Sequence, residues 1–373
     1  MAMERFRITI IGAGIGGLAA ATALASRGHD VTVAEQAPEL TEVGAGIQIS
    51  PNGYAVLAAL GCGEAIANAA LLTKSVHLMD GTTGRGVLTL DLERYAPDLG
   101  WYLIHRAKLI DILADAAVKA GAKLEFGRQV EAPPDGSALE GDDYLIGADG
   151  IHSSMRRNIN VDIEPFFTGQ VAWRALIPDD GPAEVEVHMG PGRHIVSYPL
   201  KNGLRNIVAI EERDNWVEEG WRHTDDPANV QSAFTDFTPR VRKWLEQIDD
   251  CFLWGLFRHP VAPVWYSGPQ ILLGDAAHPM LPFLAQGANM ALEDAWVLAE
   301  RLSSGSLKDY PIARRVRVER VVDASTANAR NYHLKPPMKS FAHAALRIGG
   351  RISPKSALRR FDWLYRFDVT SDS

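Results

Sequence analysis

An α/β fold carrying an inserted, mostly antiparallel β-sheet and a set of C-terminal helices is predicted by three features of this 373-residue sequence. The first is a strand, glycine turn, helix and second strand at the N-terminus, from Arg7 to Glu35. The second is a series of four short strand-like segments between Phe166 and Glu212, separated by Asp-Gly, Gly-Pro-Gly and Asn-Gly turns. The third is a further strand, glycine turn and helix between Ile271 and Glu300.

Composition bounds the rest. The length exceeds one average core, so more than one domain is expected, and 46% hydrophobic with 23% charged residues are values of a soluble globular chain. A net charge of −8 argues against a nucleic-acid partner, which requires a basic field. Cys62 and Cys251 stand far apart, with neither CxxC nor Cys/His spacing, so neither a disulfide framework nor a metal site is expected; a reducing cytoplasm is. Neither a signal-peptide pattern nor an apolar run of about 18 residues is found, and no membrane insertion is predicted.

Taken in order, Arg7 to Ile11 is a β-branched strand, and Leu18, Ala21, Thr22 and Leu24 mark the buried face of the helix that follows. Gly12, Gly14 and Gly17 form GxGxxG between them. Gly12 makes the tight turn, Gly14 lets a pyrophosphate approach the backbone, and Gly17 lets helix and strand pack closely. Val31 to Glu35 ends in a carboxylate placed to bind a ribose 2′-hydroxyl, completing a Rossmann-like dinucleotide unit. Val43 to Ile49 is a glycine-rich loop crossing back, followed by a short helix. Ser75 to Met79 and Gly86 to Asp91 form a hairpin, and Tyr102 to Arg106 leads into a helix with Leu109, Leu113, Ala116 and Ala117 on its apolar face.

Asp143 to Gly150 is a strand ending in an acidic glycine turn, with a short basic helix after it. The antiparallel layer comprises Val171 to Ile177, Glu184 to Met189, His194 to Tyr198 and Asn206 to Glu211. An acidic, Trp-rich stretch with Trp216, Trp221 and Trp244 follows, with a helix from Asp236 through Leu245 and a strand from Phe252 to Phe257. Ile271 to Leu273 is then a buried strand ending at Gly274-Asp275. Pro279 and Pro282 hold the next segment extended until a helix starts near Gly287, with Ala291, Ala295, Leu298 and Leu302 on one face. Tyr310 to Ala329 reads as an Arg-rich helix of the solvated kind.

Asp149 and Asp275 each read alone as helix caps, but with the glycine fingerprint they form a clamp for a long, hydroxyl-rich ligand. The helix N-terminus at Gly287 suits an anion or an electron-rich ring edge. On a strand, His194, Val196 and Tyr198 share one face, so an imidazole and a phenol converge, and His194 has a suitable pKa for taking a phenolic proton; a satisfied core pair is the other reading. Arg174 reads either as a carboxylate anchor or as the partner of a structural acid, and His278 as a shaper of its turn.

GAGIGGLAAATAL with Glu35, IHRAKLIDIL around Arg106, GADGIHSSMRR around Asp149 and GDAAHPMLPFLAQGANMALEDAWVLA around Asp275 resemble the landmarks of single-component FAD-dependent aromatic hydroxylases, the group A flavoprotein monooxygenases. The salicylate hydroxylase and 3-hydroxybenzoate 6-hydroxylase branch is the most similar, and GQVAWRALIP, GRHIVSYPL and DWLYRFD extend the likeness over nearly the whole chain. The resemblance implies FAD, with Gly12, Gly14, Ile15, Gly17 and Glu35 at its adenosine half. Arg106 would lie near the pyrophosphate or ribityl chain, Asp275 on the ribityl hydroxyls, and Pro282, Gly287, Ala288 and Asn289 near the flavin ring. Gln36, Gly46, Val130 and Asp149 complete the implied cofactor set.

The same resemblance implies that NADH or NADPH binds transiently and reduces the flavin, that O2 adds at C4a, and that the resulting hydroperoxide hydroxylates a small aromatic substrate. His194, Tyr198 and Gln286 are the residues it turns toward that substrate. It implies 1–72, 101–163 and 268–302 as FAD-binding domain, 73–100 and 164–267 as substrate domain, 303–373 as a C-terminal helical segment, and a monomer or homodimer. The rivals are an FAD-dependent reductase or halogenase, whose WxWxIP motif is absent, and a non-catalytic flavin-binding protein.

Overall fold

The computed structural model describes residues 4–40, 45–161, 164–213 and 223–371. Val43 and Gly44 of the glycine-rich loop, with Trp216 and Trp221, lie outside the described residues.

The β-branched run Arg7–Ile11 is buried on both faces after its first residue, as a central parallel strand must be. It pairs in parallel with Asp30–Glu35 on one side and Tyr144–Gly147 on the other. The full sheet has six strands: Tyr266–Ser267, Gln270–Leu272, Tyr144–Gly147, Arg7–Ile11, Asp30–Glu35 and Lys123–Phe126. Only the Tyr266–Ser267 pairing is antiparallel, which places that strand in this sheet rather than in the 164–267 substrate region. Because the other strands run one way, Gly12, Glu35, Asp149 and Asp275 all emerge at one edge. The strand order reverses beside Arg7–Ile11, where such sheets open a ligand crevice.

The helix Ile15–Ala25 is apolar all round, and every residue but Gly16 is buried. At Gly16 a Cβ would lie 2.6 Å from Leu273 Cδ2 and 3.2 Å from Ala291 Cβ, so the first and last glycine-turn units pack directly on each other. The glycine-rich segment differs from expectation: Gly46–Ile49 is a strand, paired antiparallel with Tyr102–His105 in a separate three-stranded sheet. Gly46 remains glycine for a packing reason, since a Cβ there would sit 2.7 Å from the Tyr198 ring and 2.8 Å from Asn206 Cβ. The two sheets can meet this closely only over a bare backbone.

The antiparallel layer is an eight-stranded sheet. Phe166–Pro178, Leu204–Glu212, Arg193–Leu200 and Glu184–Gly190 are successive neighbours. The predicted hairpin, Ser75–Asp80 with Gly86–Asp91, extends this sheet through a parallel pairing with Glu184–Gly190. Period-two alternation divides the faces. Val171, Trp173, Ala175, Ile195, Ile207 and Ala209 pack beneath the helices Pro227–Ala233 and Pro239–Leu245, whose Val230, Phe234, Val241 and Trp244 complete that core. The opposite face carries His194, Val196 and Tyr198.

Two expectations after Gly274 are corrected. Pro282–Leu284 is a 3-10 turn ending at Ala285 with φ +52°, not an extended run, because the chain must turn sharply to enter the helix Gly287–Ser303. The Arg-rich helix, Asp309–Tyr332, is not simply solvated. Arg314 is 1% exposed, with Nε 2.7 Å from Asp294 Oδ1 and Nη1 2.5 Å from Glu293 Oε2, and Arg317 Nε lies 2.8 Å from Glu293 Oε2. Glu293 and Asp294, side by side on the Gly287–Ser303 helix, would be uncompensated buried charges without this helix.

Candidate active site

At the crevice the glycines act through distances. Gly12 has φ +102°, and a Cβ on it would meet Ala148 O at 2.6 Å; one on Gly17 would lie 2.1 Å from Gly12 O. Only hydrogen fits at either place. Gly14 is the contrast, with no protein atom within 4 Å of its Cβ position, so its open side faces the cavity. Glu35 braces the turn, its two oxygens accepting from Ala13 N at 2.8 Å and Ala37 N at 2.9 Å.

Asp149 accepts from Ser154 N at 3.0 Å through Oδ2, though the cap of the helix Ser154–Ile159 is Ser153, and its buried Oδ1 has no hydrogen-bond partner. Burial pushes its carboxyl above the ordinary range, against the pull of Ser153, nearby backbone N–H groups and Arg157. Asp275 borders the cavity with its side chain exposed there, while its neighbours Gly274 and Ala276 are buried. Burial raises its pKa too, opposed by His278, Arg106 and His259. An ideal Cβ on Gly287 would be 3.9 Å from Asp275 Oδ1, which puts this carboxylate beside the start of the Gly287–Ser303 helix. No side chain caps that terminus, and its first-turn N–H groups lack intrahelical acceptors. A glycine cradle, a carboxylate oxygen awaiting a donor and an uncapped helix N-terminus fit a long ligand bearing phosphates, hydroxyls and an electron-rich ring, as FAD does.

Gly14, Asp275 and Gly287 open on one cavity of about 320 Å³. One wall carries Gly14, Ile15, Gly287 and Ala288; the facing wall carries His194, Val196, Tyr198, Val208, Ile210 and Trp254. Gly46, Arg106, Asp275, Pro282 and Gln286 also border it, whereas Gly12, Gly17, Glu35, Asp149 and Asn289 stand behind the walls. Gln36, which is exposed, and Val130, half-buried, lie away from it. The pairing register explains the convergence: Tyr198 lies opposite Asn206, Val196 opposite Val208 and His194 opposite Ile210, so alternate residues of two strands line one surface. Arg174 borders the same space with its guanidinium 4.5 Å from the Trp254 ring centroid. Burial pushes the Tyr198 phenol above its usual range, and Arg174 partly opposes this.

The carboxamides of Gln286, expected toward the substrate, and of Asn289, expected at the cofactor, both have partners within the protein. Gln286 Nε2 donates to Ser50 Oγ at 2.9 Å and its Oε1 accepts from Asn52 Nδ2 at 3.1 Å, so the carboxamide is drawn into the protein. The Asn289 side chain is likewise consumed, accepting from Ser50 N and donating to Gln48 O and Ala285 O. Both hold the loop and helix start in place, and the groups these positions offer the cavity are those of the backbone. Asn52 also donates to Glu293 at 2.7 Å, linking this network to Arg314.

Two residues escaped the sequence reading. His194 Nδ1 is 2.7 Å from His333 Nε2, and His333 Nδ1 is 3.0 Å from Glu212 Oε1. His333 follows the helix Asp309–Tyr332, 139 residues along the chain from His194, and no local pattern joins them. His278 behaves as read: fully buried, it contacts Asp294 through Nε2 and shapes the turn.

Residues 5–325 match the family described as the FAD binding domain. The 3-amino-4-hydroxybenzoate 2-monooxygenase PtmB3 of Streptomyces platensis is 33% identical over 98% of this chain and 97% of its own length. The 3-hydroxybenzoate 6-hydroxylase 1 of Aquipseudomonas alcaligenes is 36% identical over 96% and 97%. A salicylate hydroxylase solved with its substrate superposes with a TM-score of 0.80 at 25% identity, covering 98% of this chain and 97% of that one. The glycine cradle, the uncapped helix and these relatives together establish that the chain belongs to the FAD binding domain family and is an FAD-dependent monooxygenase.

Proposed function

We propose that this protein hydroxylates a phenolic aromatic acid of the hydroxybenzoate class, consuming O2 and NADH or NADPH. The observation that carries the reading is the single cavity joining the Gly14 and Gly287–Ala288 wall to the His194 and Tyr198 wall. Bound FAD supplies the redox and oxygen-transfer chemistry. Gly12, Gly14, Ile15 and Gly17 seat its phosphates and adenosine, Glu35 and Asp149 take hydroxyl groups, and Asp275 and Arg106 flank the chain leading to the ring. Gly287, Ala288 and Asn289, at the uncapped helix start, would supply backbone N–H groups to the ring, and Gly46 and Pro282 would shape its pocket. Gln36 and Val130 belong to the outer, adenine end.

The substrate ring lies against Val196, Val208 and Ile210, with its phenol toward His194 and Tyr198. His194 accepts the phenolic proton, which raises the electron density of the ring. Burial first, and then the neighbouring His333, push the His194 pKa well below the usual histidine value, so the imidazole stands neutral and able to accept. Arg174 supplies the positive field for the substrate carboxylate. Relatives active on 3-hydroxybenzoate and 3-amino-4-hydroxybenzoate support the substrate class. Among the described residues no helix is long and apolar enough to cross a membrane, and Cys62 and Cys251 are both free thiols; we place the enzyme in a reducing cytoplasm, as a monomer or homodimer.

The test is oxygen-dependent oxidation of NADH and of NADPH by the flavin-loaded protein against hydroxybenzoates, with products identified. Stimulation by one compound together with its hydroxylation supports the reading. Stimulation yielding only peroxide, or by none of the compounds, defeats it.

A further inference from the structure

We propose that His194, His333 and Glu212 form a proton relay that carries the substrate's phenolic proton from the cavity to the protein surface, an inference that rests on the phenolic substrate assigned above. His194 borders the cavity and its Nε2 is buried without a hydrogen-bond partner. Its Nδ1 is engaged at 2.7 Å by His333 Nε2, and His333 Nδ1 lies 3.0 Å from Glu212 Oε1. Glu212 is 42% exposed, so the chain ends in water. Three groups thus run along the cavity face of the sheet to the exposed end of the strand Leu204–Glu212, each joined to the next at hydrogen-bond distance.

The surroundings suit transfer rather than storage. His194 is packed by Phe283, Tyr332 and His333, with ring centroids 5.7, 5.1 and 4.9 Å away, and none of these carries a fixed charge. His333 faces Glu212, with Gln170 Nε2 at 3.5 Å, and Lys335 Nζ lies 3.9 Å from the other Glu212 oxygen. Its backbone is pinned by Gly192 N, which donates to His333 O at 3.2 Å. An imidazolium at fully buried His194 would have only the phenolate beside it and no carboxylate among the rings packed on it, so passing a proton on through Nδ1 relieves the buried charge. Burial likewise lowers the His333 pKa, and the hydrogen bond and charge of Glu212 oppose that. Simple core packing gives no reason for a buried, unpartnered imidazole nitrogen to border a cavity.

The transfer balances. At the start each histidine carries its proton on Nδ1. The phenolic O–H bond breaks and a bond to His194 Nε2 forms; His194 Nδ1–H passes to His333 Nε2; His333 Nδ1–H passes to a Glu212 oxygen, which yields it to water. One proton leaves the substrate, one enters water, and both imidazoles end neutral with their protons on Nε2. When a product phenolate is reprotonated the sequence runs backwards and restores the first state. His333 and Glu212 are therefore positioning residues, acting on the substrate only through His194.

The experiment uses the FAD-loaded protein without NADH or NADPH, so that no turnover intervenes. Hydroxybenzoates are titrated, and the tightest binder is mixed by stopped flow in weak buffer with phenol red, while phenolate absorbance and proton release are followed. The wild type is expected to form phenolate and release ~1 proton per bound ligand. In His333→Gln and in the surface variant Glu212→Gln the release should slow by at least about tenfold with ligand affinity unchanged. Release at the wild-type rate in both variants overturns the relay alone, as does phenolate formed in the wild type with its proton retained. A ligand bound without phenolate formation, or no hydroxybenzoate bound, overturns the substrate and base assignments and the relay with them.

Discussion

The wall at Gly14 and Gly287 and the wall at His194 and Tyr198 face the same cavity but are made of different chemistry. The first offers backbone: Gly14, open on its cavity side and backed by Gly12 and Gly17, whose Cβ would collide with Ala148 O and Gly12 O, and the open N-terminus of the Gly287–Ser303 helix. The second offers side chains, brought together by the register of strands Arg193–Leu200 and Leu204–Glu212. A backbone wall suits a cofactor that stays the same from one relative to the next. A side-chain wall can be altered one residue at a time, which suits the part of the site that selects among ring compounds. Removing a wall's own feature should therefore have different results on the two sides.

The largest expected effect is on the side-chain wall. His194→Phe should lower the turnover of a hydroxylated ring by about 10²–10⁴-fold while leaving flavin content as in the wild type; loss of flavin in that variant would break the division between the walls. Behind the backbone wall, Arg314→Met removes one buried partner of Glu293 and Asp294, leaving them Arg317 and His278, and urea denaturation should report a loss of about 1.5–3 kcal/mol. Gly17→Ala forces a methyl to within 2.1 Å of Gly12 O and should cost about 1–3 kcal/mol, with flavin retained poorly after gel filtration. Tight flavin binding in Gly17→Ala would show that the close helix–strand packing is dispensable.

Two pH effects sharpen the contrast. His194 has a folded pKa below the usual value, so the acid limb of kcat/KM should fall below about pH 6.5; a limb above that value would mean the imidazole is not held neutral. Asp294 is pushed up by burial, but His278 and Arg314 overrule this and hold it below its ordinary value. A lowered folded pKa contributes stability above the unfolded carboxylate value of about 3.9 and loses it as pH falls through the folded value. The wild-type urea midpoint should drop below about pH 4, with a flatter dependence in Asp294→Asn.

The same contrast explains what could be read in the chain. Gly12, Gly14 and Gly17 announce themselves because a turn and a close approach admit only glycine, and that requirement is local. His194, Val196 and Tyr198 were legible as one face, since alternation is also local. What they face was not: His333 reaches His194 from 139 residues along the chain through tertiary packing, and Glu212, on the neighbouring strand, joins it only through His333. The partners of the Gln286 and Asn289 carboxamides were not legible, because Ser50 and Asn52 lie more than 230 residues away from Gln286, and Ser50 as far from Asn289. Arg314 was misread. A charge run on a helix usually faces water, and only the packed structure shows that Glu293 and Asp294 draw this arginine inside.

The most direct measurement is the ratio of hydroxylated product to NADH or NADPH consumed by the flavin-loaded protein with the hydroxybenzoate that most stimulates oxidation. If the two walls form one site, the wild type should approach ~1 product per nucleotide, because the substrate is held against the ring with water excluded. His194→Phe should bind the same compound yet lose most of the product. Equal product from both proteins, or nucleotide consumption that ends only in peroxide in the wild type, would contradict the account.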